Sequence, residues 1–262
     1  MLNAIRLLLI TFVFIYFPQV NAHVVTAAQN EWPPYINDSG EMPGLAYEVV
    51  RRALRVEGFK LRFRLKPWSR AFKEVSNQKT DLLISVWYNE ERAKTFLYSQ
   101  PFMINTVRLV TLKDDDFSYR TPNDIRNKKV GILDNYSYDE NFLASEAYTK
   151  VTAVDLIASI KLLKSGRIDM FVSDELVARW TINSLAYNVS DFAFIHNEIA
   201  SQPLYIAISK SHPKANQIIE AFNQGLQFLV ESGEMKAIYK RYQFDFDQQY
   251  WDEWRSEAMR AK

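Results

Sequence analysis

The sequence predicts an α/β protein built from two similar lobes, and three observations support this fold class. Strand-like and helix-like segments alternate along the chain after residue 22. A helix–turn–strand pattern occurs twice at a constant offset. No Pro-rich or Gly/Ser-rich stretch separates the two copies, so we expect extended strands rather than a flexible tether to join the lobes.

Hydrophobic periodicity, with Gly and Pro at segment ends, places the individual elements. The first half has predicted strands at Val24–Ala28, Lys60–Leu65, Leu82–Val86 and Thr106–Leu112, and predicted helices at Leu45–Glu57 and Ser69–Ser76. The second half has predicted strands at Lys129–Leu133, Met170–Val172, Phe192–Ile195 and Leu204–Ser209, and predicted helices at Tyr138–Ser145, Ala153–Ser165, Glu175–Leu185, Pro213–Ser232 and Met235–Tyr242.

The repeated pattern is FKEVSNQKTDLLIS at residues 72–85 and IKLLKSGRIDMFVS at residues 160–173. Each copy has a helix end, a polar turn, a basic residue, an aspartate, three apolar residues and a serine. Asp81 and Asp169 are 88 residues apart, as are Ser85 and Ser173. Two such units predict two lobes, each with its own sheet.

Arg92 follows the first copy, after a buried strand and a polar turn. Open α/β sheets bind ligands at the carboxyl ends of their strands, and a helix beginning at Asn89 would direct its free N–H groups toward an anion. Arg92 could then bind a carboxylate with both arms of its guanidinium. Alternatively, residues 89–94 form a solvated helix face on which Arg92 pairs with a neighbouring glutamate.

Asp174 ends the second copy at the position where the first copy continues toward Arg92. One lobe would therefore offer a cation and the other an anion. A zwitterion with its carboxylate on Arg92 and its ammonium on Asp174 is the simplest ligand that satisfies both. Alternatively, Asp174 is only the N-cap of the next helix.

Residues 1–22 have the features of a secretion signal: Arg6 near the start, an apolar run from Leu7 to Phe17, and a Val20-Asn21-Ala22 end. We expect cleavage before His23 and a periplasmic location, with an uncleaved anchor as the alternative. The chain has no cysteine, which excludes disulfides and a lipid-attachment cysteine.

Composition limits the classes of function further. The net charge of +1 and the ordinary charged content of 24% argue against a nucleic-acid-binding protein. The densest basic cluster, between Arg51 and Arg64, is interpreted as solvent-facing charge. Aromatic content is 14%, and several rings fall in predicted turns where a binding cleft would use them. These rings are Trp32, Tyr35, Trp68, Trp87, Tyr88 and Tyr136.

Short motifs recur along the chain in a characteristic order: Trp32-Pro33-Pro34-Tyr35, Gly44-Leu45, Pro67 to Ala71, Asp81 to Ser85, Glu91-Arg92, Ser99 to Phe102, Lys129 to Gly131, Gly166 to Asp169, and Gly233 to Tyr242. Through the order and spacing of these motifs, the chain resembles the type II periplasmic solute-binding proteins of the family 3 extracellular group, which includes polar amino-acid receptors of ABC importers. The resemblance implies a two-lobed fold with crossover strands near 105–107 and 200–205. Lobe one would comprise 23–105 and 204–262, and lobe two 106–203.

The resemblance also implies roles for individual residues. Arg92 matches the arginine that binds the ligand α-carboxylate, and Asp174 matches the acid that binds the α-amino group. Ser85 matches a contact at a strand end, and Ser137 a hydroxyl at the start of a lobe-two helix. Trp32 matches an aromatic residue that stacks on the ligand, with a surface ring packed on Pro33 and Pro34 as the alternative.

Two departures from the family pattern make the predicted pocket more aromatic. Trp87-Tyr88-Asn89 stands where a Ser or Thr usually precedes the arginine, and Asn135-Tyr136-Ser137 stands in place of Gly-Ser-Thr. We therefore add Trp87 and Tyr136 to the predicted ligand contacts. The sequence does not choose among glutamate, glutamine, basic amino acids and other carboxylates.

The predicted function is binding of a small polar solute, an amino acid in the first instance, for delivery to a membrane ABC permease. The predicted protein is a monomer that needs no cofactor and no metal. One alternative is a sensor subunit for a membrane signalling protein. Another is a dehydratase-like enzyme on the same fold, although the only histidines are His23, His196 and His212 and no residue spacing suggests a metal site.

The acidic and aromatic segment 244–254 is predicted to pack on lobe one, with a docking surface as the alternative.

Overall fold

The computed structural model describes residues 23–38, 40, 42–88, 90–113, 118–133, 138, 140–244, 246 and 251. Its strands are β1 (His23–Gln29), β2 (Phe59–Leu65), β3 (Leu82–Trp87), β4 (Phe96–Tyr98), β5 (Met103–Leu112), β6 (Lys129–Leu133), β7 (Thr149–Ala153), β8 (Met170–Asp174), β9 (Phe192–Phe194) and β10 (Ala200–Ser209). Its α-helices are α1 (Leu45–Val56), α2 (Trp68–Ser76), α3 (Glu90–Ala93), α4 (Glu140–Ala144), α5 (Leu156–Lys164), α6 (Glu175–Ser184), α7 (Ala215–Glu231) and α8 (Glu234–Arg241). Two short 3₁₀ helices cover Pro122–Ile125 and Val189–Asp191.

The strands form a curled sheet in the order β2-β1-β3-β10-β5-β8-β6-β7, with β4 paired to β10 and β9 to β5. Strands β1, β2 and β3 are parallel on one side, and β6, β7 and β8 are parallel on the other. The long strands β5 and β10 lie between them and pair antiparallel from Met103–Val107 to Ala200–Leu204. This architecture confirms the predicted two-lobed α/β class, with two extended strands between the halves. The boundaries of the lobes at single residues stay predictions.

Separate apolar cores support the two halves. The first contains residues of α1, α7 and α8 together with β1 and β3, for example Leu54 and Phe222. The second half has two clusters on opposite faces of its sheet, one around Phe142 and the other around Ile160. Trp251 is almost fully buried in the first core and stacks on Phe246, so the described part of the C-terminal segment packs on the first half as expected.

The sequence repeat is also a structural repeat. Each copy forms a helix followed by a strand, α2 and β3 in one half and α5 and β8 in the other. Asp81 Oδ2 accepts the backbone N–H of Thr26 at 2.6 Å, and Asp169 Oδ2 accepts the backbone N–H of Lys129 at 2.6 Å. Both aspartates therefore tie the turn to the backbone of a neighbouring parallel strand.

Some elements differ from their predicted bounds. Ala153 ends β7 rather than beginning a helix, because Asp155 adopts an extended backbone and caps α5 through the N–H of Ala158. Strands β4 and β7 were not predicted, since neither shows a clear period-two pattern.

Within the described residues, no helix is long and apolar enough to cross a bilayer. Residues 1–22, on which the secretion signal was predicted, lie outside the described residues.

Candidate functional site

The loop after β1 is held against the start of α1 by its own backbone. Trp32 and Ile36 exchange two backbone hydrogen bonds of 2.9 Å, and the first N–H groups of α1 donate to Pro34 and Tyr35 carbonyls. Gly44 has a φ of 114°, and a Cβ at this position would lie 2.3 Å from the Tyr35 carbonyl oxygen. Only glycine permits this approach, and it presses the Trp32–Tyr35 segment onto the helix.

Asp174 is fully buried where β8 meets α6. The backbone N–H of Val177 donates to Oδ1 at 2.7 Å, which makes Asp174 the N-cap of α6. The Asn105 side-chain amide donates to Oδ2 at 2.6 Å, and the Tyr35 hydroxyl donates to the same oxygen at 2.9 Å. Asp174 therefore joins the second half, the strand β5 between the halves, and the loop after β1.

Burial dominates the charge state of this carboxyl. Loss of hydration raises the pKa of Asp174 to about 7 from an ordinary value of 3.8, although the N–H of Val177 and the hydroxyl of Tyr35 act in the opposite direction. Asn105 is also fully buried, and within the described residues nothing hydrogen-bonds to its Oδ1. A buried carboxyl and a buried amide oxygen thus belong to two side chains in direct contact, an arrangement that a cation would stabilise.

Three aromatic rings extend from Asp174 toward the end of β3. The rings of Tyr35 and Trp32 have centroids 4.6 Å apart, and those of Trp32 and Trp87 are 5.8 Å apart and nearly perpendicular. Both tryptophans are half-buried. Trp32 thus packs against two rings of the site, unlike a surface ring packed only against its neighbouring prolines.

Arg92 lies at the other end of this series of rings. Its Nη1 atom is 3.4 Å from the Trp87 carbonyl oxygen, and its guanidinium lies 5.4 Å from the Trp68 ring centroid. Arg92 belongs to α3, a helix of four residues, and Asn89 lies outside the described residues. We call the continuous series of contacts from Arg92 through Trp87, Trp32 and Tyr35 to Asp174 the contact path.

Ser85 lies two residues before Trp87 in β3 and has a left-handed backbone with φ of 58°. Its side chain is buried, and within the described residues nothing hydrogen-bonds to its Oγ. The Gln29 amide donates to the Ser85 carbonyl at 3.2 Å. A non-glycine residue in this strained conformation, with a buried unsatisfied hydroxyl, is a feature that occurs at ligand sites.

The structure thus brings five of the seven predicted ligand-binding residues, Trp32, Ser85, Trp87, Arg92 and Asp174, to the carboxyl ends of β1, β3 and β8 or just beyond them. The other two, Tyr136 and Ser137, lie outside the described residues. Within the described part of the chain, no group of three or more histidines and acids is placed to hold a metal ion.

Sequence reasoning missed three residues of this region as contacts: Tyr35, Trp68 and Asn105. Tyr35 and Trp68 were recognised as aromatic residues in predicted turns, which was the available signal. Asn105 gave a weaker signal, a single amide next to a predicted strand. Its importance depends on the pairing of β5 with β8, which places Val107 opposite Asp174.

A two-lobed α/β fold with polar and aromatic side chains at facing strand ends defines a class, the type II solute-binding proteins. The sequence model for bacterial extracellular solute-binding proteins, family 3, matches residues 24–245, and the chain belongs to this family. The family is one of solute-binding proteins, which confirms the expectation that this chain is a binding protein rather than an enzyme.

Individual proteins agree with this assignment. The L-cystine-binding protein TcyJ of Escherichia coli is 21% identical over 224 residues, covering 84% of this chain and 82% of the relative. Substrate-binding domain 2 of GlnP from Lactococcus lactis, solved in an open conformation, superposes with a TM-score of 0.70 at 23% identity, covering 87% and 97% of the two chains. A histidine kinase sensor domain superposes with a TM-score of 0.61 at 20% identity, covering 84% and 95%.

Proposed function

We propose that this protein is a periplasmic receptor that binds one amino acid between its lobes and delivers it to a membrane ABC permease. It is exported through the segment 1–22, works as a monomer and contributes recognition only. The observation that carries the proposal is the buried acceptor pair formed by Asp174 and the Oδ1 atom of Asn105, joined by aromatic rings to Arg92.

The acceptor pair suits the α-amino group of the ligand. An ammonium group has three N–H donors and no acceptor, and here it meets a carboxylate and a free amide oxygen. The hydroxyl of Tyr35 now donates to Asp174 Oδ2, so the ammonium group replaces this donor or joins it. Its charge also stabilises the ionised form of Asp174, which burial disfavours.

Arg92 suits the α-carboxylate. Its guanidinium lies in the first half, whereas Asp174 lies at the end of a strand in the second half. A zwitterion held by both residues connects the halves and stabilises the closed arrangement. Between these charges, the rings of Trp32 and Trp87 supply apolar surface for the side chain of the ligand, and Ser85 Oγ, Tyr136 and Ser137 supply further contacts.

A thermal-shift screen tests the proposal. The solutes are glutamate, glutamine, arginine, histidine, cystine and, for comparison, carboxylates that lack an amino group. We expect at least one amino acid to raise the melting temperature and to give a one-to-one binding isotherm without product formation. Stabilisation by carboxylates without an amino group, and by no amino acid, would contradict the proposal.

Arg92→Ala tests the carboxylate site. We expect this variant to lose the ligand-induced rise in melting temperature while its ligand-free melting temperature stays within about 2 °C of the wild type, because a half-buried arginine contributes little to the fold. Lys94→Ala is the matched control, since Lys94 is an exposed cation just beyond the same helix and pairs with Glu91. Near-normal affinity in Arg92→Ala would remove Arg92 from the site.

The likeness to a histidine kinase sensor domain supports a second candidate function, solute sensing for a membrane kinase. The two functions share the binding step and differ in the membrane partner. Reconstituted membranes distinguish them, because an importer's receptor stimulates ATP hydrolysis by its permease when the amino acid is present, whereas a sensor subunit changes the activity of a kinase.

A further inference from the structure

A face of the first half carries concentrated positive charge that the binding function does not use. Residues 60–79 contain seven lysines and arginines and one acid, Glu74, although the whole chain has a net charge of only +1. Lys66 and Arg70 both pair with Glu74. Five other cations lie nearby along α1 and β2. We call these five, Arg51, Arg55, Lys60, Arg62 and Arg64, the basic edge.

The strand β2 explains why these charges are gathered on the surface. It is an edge strand, paired only with β1, and its side chains alternate between the α1 core and the opposite face. Lys60, Arg62 and Arg64 occupy that opposite face and are exposed, forming a stripe about 13 Å long. Helix α2 packs on the same face over β1, β3 and β10, where it covers Ala28, and leaves β2 uncovered.

The basic edge is also electrostatically unbalanced. Within the described residues, no ion pair involves Arg55, Lys60, Arg62 or Arg64, and Arg51 is 3.9 Å from Glu48. Glu57 is an exposed acid near the end of α1. Four unpaired cations within two adjacent elements attract an anionic surface.

A shallow cavity adjoins the stripe where α1 ends and β2 begins. It has a volume of about 410 Å³ and is lined by Arg51, Arg55, Gly58, Phe59, Lys60 and Leu61. Apolar side chains thus meet a cationic rim. Val24 and Val56 are 48% and 41% exposed at the same end of the first half, so apolar surface continues beyond the cavity.

We propose that the basic edge is a docking surface for anionic phospholipid, which holds the receptor against the membrane. Each Lys or Arg near an anionic bilayer raises the membrane-binding constant about fivefold, and this attraction does not need a complementary shape. The cavity fits the boundary between a headgroup and its acyl chains, because the rim is cationic and the interior apolar. A protein partner is less suited to this face, since the buried core of a protein interface is apolar, whereas the stripe consists of three exposed cations.

Docking through this face leaves the amino-acid site accessible. The basic edge lies at the outer edge of the sheet, on β2 and α1, whereas Trp87 and Asp174 lie at the ends of β3 and β8, further along the strand order. The receptor can therefore bind its ligand while it stays on the membrane. Its search for a membrane partner then takes place along the surface rather than through the whole periplasm.

Vesicle co-sedimentation tests the proposal with the complete chain. The vesicles are phosphatidylcholine alone or phosphatidylcholine with about one third phosphatidylglycerol, at about 50 mM and about 500 mM salt. The test variant combines Lys60→Gln, Arg62→Gln and Arg64→Gln. The control variant combines Lys161→Gln, Arg167→Gln and Lys236→Gln, which removes the same charge from exposed positions elsewhere.

We expect the wild type and the control variant to bind the anionic vesicles at low salt and to dissociate at high salt. We expect the test variant to bind about a hundredfold more weakly, as three cations at about fivefold each predict. Its amino-acid-induced thermal shift should stay normal, which separates this test from that of the binding function. Equal weakening in both variants, equal binding to neutral vesicles, or binding only to membranes that contain a protein partner would overturn the proposal.

Discussion

At the scale of single residues, Asp174 holds the most constrained position in the site. It caps α6, accepts the Tyr35 hydroxyl and the Asn105 amide, and is fully buried. Each donor stabilises the ionised form, yet burial has the larger effect and raises the pKa of this carboxyl to about 7. Asp174 therefore has a structural role and also titrates near neutral pH.

This raised pKa predicts a pH dependence of stability. Between about 4 and about 7 the folded protein keeps a proton on Asp174 that the unfolded chain releases. The stabilisation of the folded protein by this retained proton is therefore complete below pH of about 4 and is lost as the pH rises to about 7. At that pH the free energy of unfolding should be a few kcal/mol lower than at pH of about 4. Urea denaturation at a series of pH values measures this change in the free energy of unfolding.

Asp174→Asn is the matched control for this pH dependence. Asparagine keeps the capping oxygen for α6 but cannot titrate, so the slope between about 4 and about 7 should become shallower. Tyr35→Phe should extend the fall in stability to higher pH, because loss of the Tyr35 hydrogen bond raises the pKa of Asp174 further. A wild-type slope in Asp174→Asn would show that other groups cause the dependence.

At the scale of secondary-structure elements, the first half depends on a close crossing of α1 and α7. Gly225 lies in the middle of α7, and a Cβ at this position would lie 2.0 Å from the carbonyl oxygen of Ala53. Backbone cannot move aside as easily as a side chain, so this crossing needs glycine. The loop from Trp32 to Gly44 leads into α1, so the packing of this helix also positions the aromatic part of the contact path.

Gly225→Ala should therefore destabilise the protein although alanine favours helices. We expect a loss of about 2 kcal/mol or more in the free energy of unfolding, because overpacking at the crossing outweighs the better helix propensity of about 1 kcal/mol. Gly40→Ala is the control, since a Cβ there meets nothing within 4 Å. Urea denaturation compares the two variants, and an unchanged or raised stability in Gly225→Ala would show that the helices can separate without cost.

At the scale of the whole molecule, two halves with separate cores meet along the paired strands β5 and β10. The contact path crosses this junction, because Tyr35 belongs to the first half and Asp174 to the second. Leu176 and Val177 at the start of α6 also pack against the first core. A ligand at the junction therefore acts on both halves at once.

Hydrogen exchange tests this coupling. On saturation with the amino acid found in the screen, we expect slower amide exchange both in residues 32–36 and at the start of α6, because each contributes to one end of the site. Arg92→Ala should show no such change at the same ligand concentration. Protection confined to one half would contradict binding between the lobes.

The sequence by itself determined the class of fold and most elements, because hydrophobic periodicity, turn residues and the repeat at 72–85 and 160–173 are local patterns. It also predicted Arg92 and Asp174 as site residues from the two copies of the repeat, and Trp32 from the family resemblance, and these roles stay predictions. The first and last residues of the elements were predicted less accurately than the elements themselves. Asp155, for example, places the start of α5 through a capping bond that hydrophobic periodicity does not reveal.

Only the tertiary structure decided what surrounds these residues. The hydrogen bonds of Asp174 to Tyr35 and Asn105 join positions 139 and 69 residues apart, and no local pattern encodes such pairs. The basic edge shows the same dependence: its charges were visible in the sequence, but the exposure of its three β2 residues follows from β2 lying at the edge of the sheet, outside the cover of α2. Packing between distant elements fixes burial and charge environment, and these two quantities decide what a side chain can bind.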